Sequence, residues 1–207
     1  IMSVKPILFN TEMVRAILDG RKSCTRRLIK SNVDAVLNSP YHMKHPEVED
    51  AWLIRKLCNA PYEQGDILYI RETWHRYTKR VGEGESCHLA ELYGYKASIA
   101  NSEDANEPWR PSIHMPKKAA RIWLKVTDVR VERLQEITED GAKAEGANWK
   151  NGKNVGFEEK MRRTAIERFA EIWNGTIKKS DIDRYGWQAN PWVWVIELER
   201  CDKPEGV

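Results

Sequence analysis

Along the chain, apolar and polar positions alternate in blocks that change period, and each block predicts an element. Pro6 to Asn10 is a short apolar run that reads as a first strand. Thr11 then stands as a helix cap, with Met13, Val14, Ile17 and Leu18 at helical spacing and Gly20 in the terminating position. Arg21 to Arg27 is short, polar and basic, and predicts a turn leading into a strand. The pattern weakens over residues 31–62, where Pro40, Pro46 and Pro61 interrupt it; this predicts an insertion holding a helix around Glu47 to Leu57. Glu63-Gln64-Gly65-Asp66 is a turn signal, and Ile67 to Trp74 is the clearest strand of the first half. Residues 79–108 are polar, with glycine and acids, and predict a second insertion with a short strand near Leu92 to Lys96.

In the second half, Arg121 to Arg133 is a long β-rich run whose alternation changes phase near Thr127-Asp128, as a bulge or sharp coil would make it do. Thr138-Glu139-Asp140 opens a short helix and Gly146 closes it. Phe157, Met161, Ile166, Phe169, Ile172 and Trp173 form an apolar stripe on a longer helix ended by Gly175. Trp192 to Leu198 is nearly continuous in apolar residues, the pattern of a strand buried on both faces. About five or six strands with short helices between them predict an α+β fold, a mixed barrel rather than a βαβ series.

Composition adds bounds. The 207 residues, 41% hydrophobic and 31% charged, suit a single domain over residues 2–201 with a tail at 202–207. Ile1 precedes a Met2 that reads as the natural start. No apolar run reaches the ~18 residues of a membrane span, and no basic region leads an apolar one at the start, so a cytoplasmic protein is expected. The four cysteines, Cys24, Cys58, Cys87 and Cys201, share no CxxC spacing and read as free thiols in a reducing compartment. His42-x-x-His45 and Cys87-His88 match no common zinc spacing, so neither a metal nor another cofactor is expected.

A net charge of +3 neither demands nor excludes nucleic acid, but the cations cluster. Arg21, Lys22, Arg26, Arg27 and Lys30 crowd one segment, and Lys117, Lys118 and Arg121 another. Each cluster reads either as a solvated face or as a phosphate contact. The nine tryptophans read as core residues or as surfaces on which bases stack. Glu72, on an apolar strand, would face inward and need a partner, which its neighbour Arg71 cannot be on the same face. In Trp109-Arg110-Pro111-Ser112-Ile113-His114-Met115 a base could stack on Trp109 while Arg110 or Ser112 holds phosphate or sugar. The alternative is a structured loop sealing one barrel end. The candidate binding residues are therefore Arg21, Arg26, Arg27, Glu72, Trp74, Trp109, Arg110, Ser112 and His114.

The order of these pieces, with Gly20-x-Lys22-x-x-Thr25-x-Arg27, the Gly65-Asp66 turn, Thr138-Glu139 and a closing strand, resembles the ASCH domain of the PUA-like superfamily. The segments Lys5–Arg27, Gly65–Trp74, Trp109–Met115 and Trp192–Glu197 are similar to ASCH proteins carried by bacteriophages and prophages. The resemblance implies a small β-barrel that holds a nucleobase, a nucleoside or RNA in a bacterial or phage-infected cytoplasm. Relative to minimal members, residues 31–62, 79–108 and 147–187 are insertions. A minimal ASCH enzyme, the bacterial N4-acetylcytidine amidohydrolase, uses a lysine, a threonine and a glutamate, and the matching positions are Lys22, Thr25 and Glu145.

Amide hydrolysis needs a nucleophile, a base and donors for the oxyanion. Thr25 could supply the hydroxyl or position a water. Lys22 could be the base only when neutral, and a free lysine, with pKa ~10.4, is charged at neutral pH unless burial and cations such as Arg21, Arg26 and Arg27 lower it. Glu145 could shuttle a proton or hold the amine. Residues three apart in a straight strand point to opposite faces, so Lys22 and Thr25 converge only if the chain bends, which Gly20 and Ser23 permit. Against this stands a solvated lysine, an ordinary strand threonine and a surface glutamate. Three classes stay open: a non-catalytic RNA or modified-nucleoside module, an acyl-cytidine amidohydrolase, and a ribonuclease.

Overall fold

The computed structural model describes residues 3–98, 108–147 and 164–206. In chain order the elements are β1 (Val4–Leu8), α1 (Thr11–Leu18), β2 (Cys24–Leu28), α2 (Val33–Leu37), α3 (Pro40–Lys44), α4 (Asp50–Leu57), β3 (Ile67–Arg71), β4 (Trp74–Val81), β5 (His88–Tyr95), β6 (Trp123–Arg133), α5 (Glu139–Ala144), α6 (Ala165–Thr176), α7 (Ile182–Tyr185) and β7 (Trp192–Cys201). The class is α+β, with a mixed five-stranded sheet in the order β1-β3-β6-β7-β2 and a second sheet made of β4 and β5. β1 and β2 stand at the two ends of that order, which among the described residues shows the α+β class and a mixed sheet but no closed barrel. Closure depends on strand tilt and shear, which a count of strands in a sequence does not carry.

The chain divides into two compact units. The first comprises Ile1–Asp19, Asp66–Lys125 and Arg200–Val207. Here β1 runs parallel to β3, from Val4 opposite Ile67 to Leu8 opposite Arg71. Buried Asp66 ties the start of this pair, accepting from Ser3 Oγ at 2.6 Å and Lys5 Nζ at 2.7 Å. The cap of α1 is Asn10, whose side chain accepts from the Met13 N–H at 2.9 Å; Thr11 is the first helical residue instead. Either side chain can cap, and asparagine is the better at it.

The strand expected from Ile67 to Trp74 breaks at Arg71. The Glu72 N–H turns to Met115 Sδ at 3.2 Å rather than to a ladder carbonyl, and a new strand starts at Trp74. That strand, β4, pairs over its whole length with β5, from Trp74 opposite Tyr95 to Val81 opposite His88. The short strand expected near Leu92 to Lys96 is therefore the end of an eight-residue one. Its exposed first half, with no buried position, hides the period-two signal. Gly94 serves a specific purpose, because a Cβ there would lie 1.8 Å from His75 Nε2.

The second unit comprises Gly20–Gly65 and Val126–Glu199. β2 pairs antiparallel with β7, from Cys24 opposite Glu197 to Leu28 opposite Val193. Val193, Trp194, Val195 and Ile196 are all buried, as expected for a strand covered on both faces. Val193 and Val195 share a core with Cys24, Leu134, Ile137, Ala142, Phe169 and Trp173. Residues 31–62 hold three helices, α2, α3 and α4, where one was expected; Asn32 and Ser39 cap the first two. On β6 the buried positions switch from Leu124 and Val126 to Val129 and Val131, the expected change of phase. Phe157 and Met161 of the predicted stripe lie outside the described residues; Phe169 and Trp173 are buried on α6, which starts at the Thr164–Glu167 capping box.

Candidate functional site

The second unit gathers its ionisable side chains where α5 ends beside the chain entering β2. Gly146, at φ +83°, stops α5 with a paired cap: its N–H donates to Lys143 O at 2.8 Å and the Ala147 N–H to Ala142 O at 3.1 Å. Glu145 is thereby fixed as the C-cap residue, and it is buried. The Ser23 N–H donates to Ala144 O at 2.9 Å, and Lys22 forms an isolated antiparallel bridge with Glu145. The bend needed before Thr25 is thus made by pairing to a helix end.

Lys22, whose side chain is 0% exposed, donates to Glu145 Oε2 at 2.7 Å, to Glu145 O at 3.0 Å and to Cys24 O at 2.7 Å. Three acceptors match the three N–H bonds of an ammonium group. A nitrogen so held donates protons; before it could accept one it must give one up, and Glu145 Oε2 is the carboxylate oxygen within reach. Taking a charge out of water costs several kcal/mol, which only a close partner with good geometry offsets.

Arg26 extends the cluster. Its Nη2 donates to Glu132 Oε2 at 3.0 Å, and its Nη1 stands 3.5 Å from Glu145 Oε1. At that separation no hydrogen bond forms, and Arg26 Nη1, Arg26 Nε and Glu145 Oε1 are all buried without a hydrogen-bond partner among the described residues. The guanidinium also lies 5.9 Å from the Phe169 ring centroid. Glu132 continues outward to Arg130 Nε at 2.6 Å, and Arg130 also pairs with Glu197. Charges therefore alternate from buried Lys22 through Glu145, Arg26, Glu132 and Arg130 to half-exposed Glu197. Cys24 sits against this row. Burial, and next the Glu145 charge, push its thiol up to about 12, against the opposing pull of Arg26, Lys22 and Arg130.

Thr25 is buried and stands opposite Ile196 on β7. Strand alternation sets it on the face away from Cys24 and Arg26. The structure thus joins Lys22 directly to Glu145, and Arg26 to Glu145, while Thr25 occupies the alternate face of the same strand.

Along β2 lies an open cleft of about 580 Å³, lined by Arg26, Arg27, Leu28, Lys30 and Ser31, by Asn59, Pro61 and Tyr62, by Trp173, Thr176 and Ile177, and by Trp194. Burial lowers the Arg27 guanidinium from its ordinary value, and Tyr62 and Glu145 oppose that shift. Arg21 is half-exposed at the turn before Lys22. The cleft brings three cations to the same walls as three aromatic rings. Tyr62, Trp173 and Trp194 escape a sequence reading because they come from three separated segments; Glu132 and Arg130 do so because alternating charges on a strand look like a solvated face.

The remaining candidates all fall in the first unit. Glu72, 1% exposed, finds its partner in Arg121, with Nε to Oε1 at 2.8 Å and Nη2 to Oε2 at 3.0 Å. Arg121 also lies 4.1 Å from the Tyr95 ring centroid and donates to Ser98 Oγ at 2.6 Å. Trp74 is buried in a small core with Met115 and Ala119, and Arg110 lies 5.5 Å from its ring centroid. Trp109, half-buried, packs on His75 with ring centroids 4.8 Å apart. Ser112 and exposed His114 bound a single 3-10 turn. Arg110 also lines a shallow cleft of about 230 Å³ with Arg76, Tyr77, Thr78 and Glu91.

His42 pairs with Asp50 at 3.0 Å and His45 with Glu47 at 3.0 Å, and among the described residues no group of three metal-ligating side chains occurs. Among them, too, no helix is long and apolar enough to cross a membrane. No protein-family model, curated protein or solved structure matches this chain.

Proposed function

We propose that this protein is of the ASCH, PUA-like type and binds a nucleobase, a nucleoside or RNA in the cleft along β2. The observation that carries this reading is the lining: Arg27 and Lys30 face the same space as half-buried Tyr62, with the buried rings of Trp173 and Trp194 in the same wall. Aromatic rings stack on bases whatever their sequence, at about 1–3 kcal/mol per base, and cations hold the phosphate or sugar. A cleft of 580 Å³ is within the range of small-ligand sites, about 300–1,000 Å³. Titration of cytidine and cytidine monophosphate into the protein should quench tryptophan fluorescence saturably. The Tyr62→Ala and Arg27→Ala variants should bind at least about tenfold more weakly, since 1.4 kcal/mol is a factor of ten. Equal binding by both variants would remove the cleft from the account.

A second reading, hydrolysis of the amide of an N4-acylated cytidine, draws on the Lys22–Glu145 contact at 2.7 Å and the neighbouring unpartnered Arg26 and Glu145 atoms. In it Glu145 takes the Lys22 proton, the neutral amine takes one from a water whose oxygen attacks the acyl carbon, the C–N bond breaks as Glu145 gives its proton to the departing cytidine amine, and the Arg26 N–H groups without a partner among the described residues are donors for the acyl oxygen. Cytidine should then be released from N4-acetylcytidine by the wild type and not by Lys22→Ala or Glu145→Gln. No release by a protein that binds cytidine would leave a binding module without chemistry.

A further inference from the structure

The β4–β5 hairpin is a sheet of two strands, and its two edges are unlike. Trp74 exchanges both backbone bonds with Arg110, its N–H donating to Arg110 O at 3.2 Å and the Arg110 N–H to Trp74 O at 2.8 Å. Trp74 and Tyr95, which stand opposite each other, therefore turn their backbone groups apart. Alternation along the ladder then sends the N–H and C=O of Leu89, Glu91, Tyr93 and Tyr95 away from β4. Among the described residues nothing takes up these groups. The β4 edge carries exposed Arg76, Lys79 and Arg80, the kind of charge that keeps a free edge from pairing. By contrast, β5 has no lysine, arginine or proline, and its register with β4 runs without a bulge. Its one acid, Glu91, is already engaged by Arg76 Nη1 at 3.1 Å, Lys118 Nζ at 3.2 Å and the Tyr93 hydroxyl at 2.7 Å. Leu89, near the turn, is 69% exposed.

We infer that β5 pairs antiparallel with the β5 of a second copy of this chain, about a two-fold axis through Leu92, so that two two-stranded hairpins become one four-stranded sheet. A two-fold interface requires a surface that is its own complement, and β5 meets that condition in one register. With Leu92 opposite Leu92 of the second copy, Glu91 faces Tyr93, Leu89 faces Tyr95 and Ala90 faces Gly94. The outward groups of Leu89, Glu91, Tyr93 and Tyr95 then meet outward groups in every pair and exchange both N–H···O bonds. Centring the axis on Glu91 instead would set two carboxylates opposite each other, which is unfavourable. Centring it on Tyr93 would carry Leu89 past the end of the strand. In the Leu92 register exposed Leu89 gains an aromatic cross-strand partner, a favourable pair. A two-stranded ribbon is marginal in water, and added strands stabilise it. The cations of β4 and its bridge to Arg110 close the outer edges, so pairing stops at two copies.

Sedimentation velocity of the full chain over a series of concentrations tests this. The wild type should pass from one chain to two as concentration rises, and go no further. Leu89 and Arg80 stand opposite each other with their N–H groups turned outward. Leu89→Pro and Arg80→Pro therefore each remove an N–H from opposite edges and leave the hairpin's own bonds in place. Leu89→Pro should weaken dimerisation at least about tenfold, and Arg80→Pro should leave it unchanged. A second measurement is independent of proline. In a Cys87→Ser background, Leu92→Cys puts two thiols on the axis, with Cα atoms about 4.5 Å apart, within the span of a disulfide. Treated with diamide, that variant should form a covalent dimer, and the background protein and Leu89→Cys should not. A single chain at every concentration would leave the edge to a strand of another protein and overturn the inference. Equal loss of dimer in the two proline variants, or cross-linking of Leu92→Cys no greater than that of Leu89→Cys, would do the same. Growth beyond two chains would mean that β5 pairs with β4 of the next copy, and would overturn it too. None of these readouts depends on what the cleft binds.

Discussion

Lys22 and Glu145 are buried charged partners 2.7 Å apart, so removing either takes from the other a close counter-charge. Breaking such a pair costs about 3–5 kcal/mol, and urea denaturation of Lys22→Met or Glu145→Gln should show a loss of that order. A loss under 1 kcal/mol would mean that the pair is solvated. In the first unit buried Glu72 is paired with partly exposed Arg121: Glu72→Gln should cost about 3 kcal/mol, whereas the neighbouring Arg71→Gln should cost less. Cys24 and Tyr95 give a pH dependence of definite sign. The folded protein holds the Cys24 proton up to about 12 against an ordinary 9.0, and the Tyr95 proton up to about 12 against 10.0. Desolvation is the leading cause of both shifts, so the neutral form is the one the fold favours. Their contribution to stability is complete below pH 9 and is lost as pH rises from there toward 12. Thermal midpoints measured across that window should fall, and should fall less steeply in Cys24→Ala than in the wild type; parallel curves would contradict this. Below pH 9, iodoacetamide should label exposed Cys87 and leave buried Cys24 unmodified.

At the scale of elements, the site depends on how α5 ends. Gly146 adopts a positive φ of 83°, which costs any residue with a Cβ about 1 kcal/mol. Gly146→Ala should therefore lower stability by roughly that amount and also weaken ligand binding, because the cap holds Glu145 beside Arg26, which lines the cleft. Reduced stability with affinity intact, read from a parallel titration, would separate the helix end from the site. This stop signal was legible in the sequence, as were the Thr138 start and the Glu145 position between them, since caps are local chemistry. The β4–β5 hairpin was less legible. Its polar first half carries no hydrophobic period, and the break after Arg71 comes from Met115 and Arg121, more than forty residues away in the chain. The three short helices of residues 31–62 were likewise obscured, because Pro40 reads as an interruption although it occupies a helix first turn, where proline is favoured.

For the whole molecule, the α+β class follows from the mixture of periods, and the strong strands β3, β6 and β7 were all visible as apolar runs. Whether the sheet closes was not visible, because closure is a matter of geometry between strands and not of pattern within them. The site divides the same way. Lys22 and Glu145 could be nominated from a motif and a count, and Arg26 from a cluster of cations, but the aromatic half of the cleft is assembled by the fold alone from Tyr62, Trp173 and Trp194. The central claim, that this cleft is where a nucleoside or nucleotide binds, is most directly tested by following the tryptophan indole N–H resonances during an NMR titration with cytidine monophosphate. The indole signals of Trp173 and Trp194, assigned by single substitution, should shift and saturate together while those of Trp74 and Trp109 stay in place. Saturable shifts confined to Trp74 and Trp109, or no shift in any of the four, would contradict it.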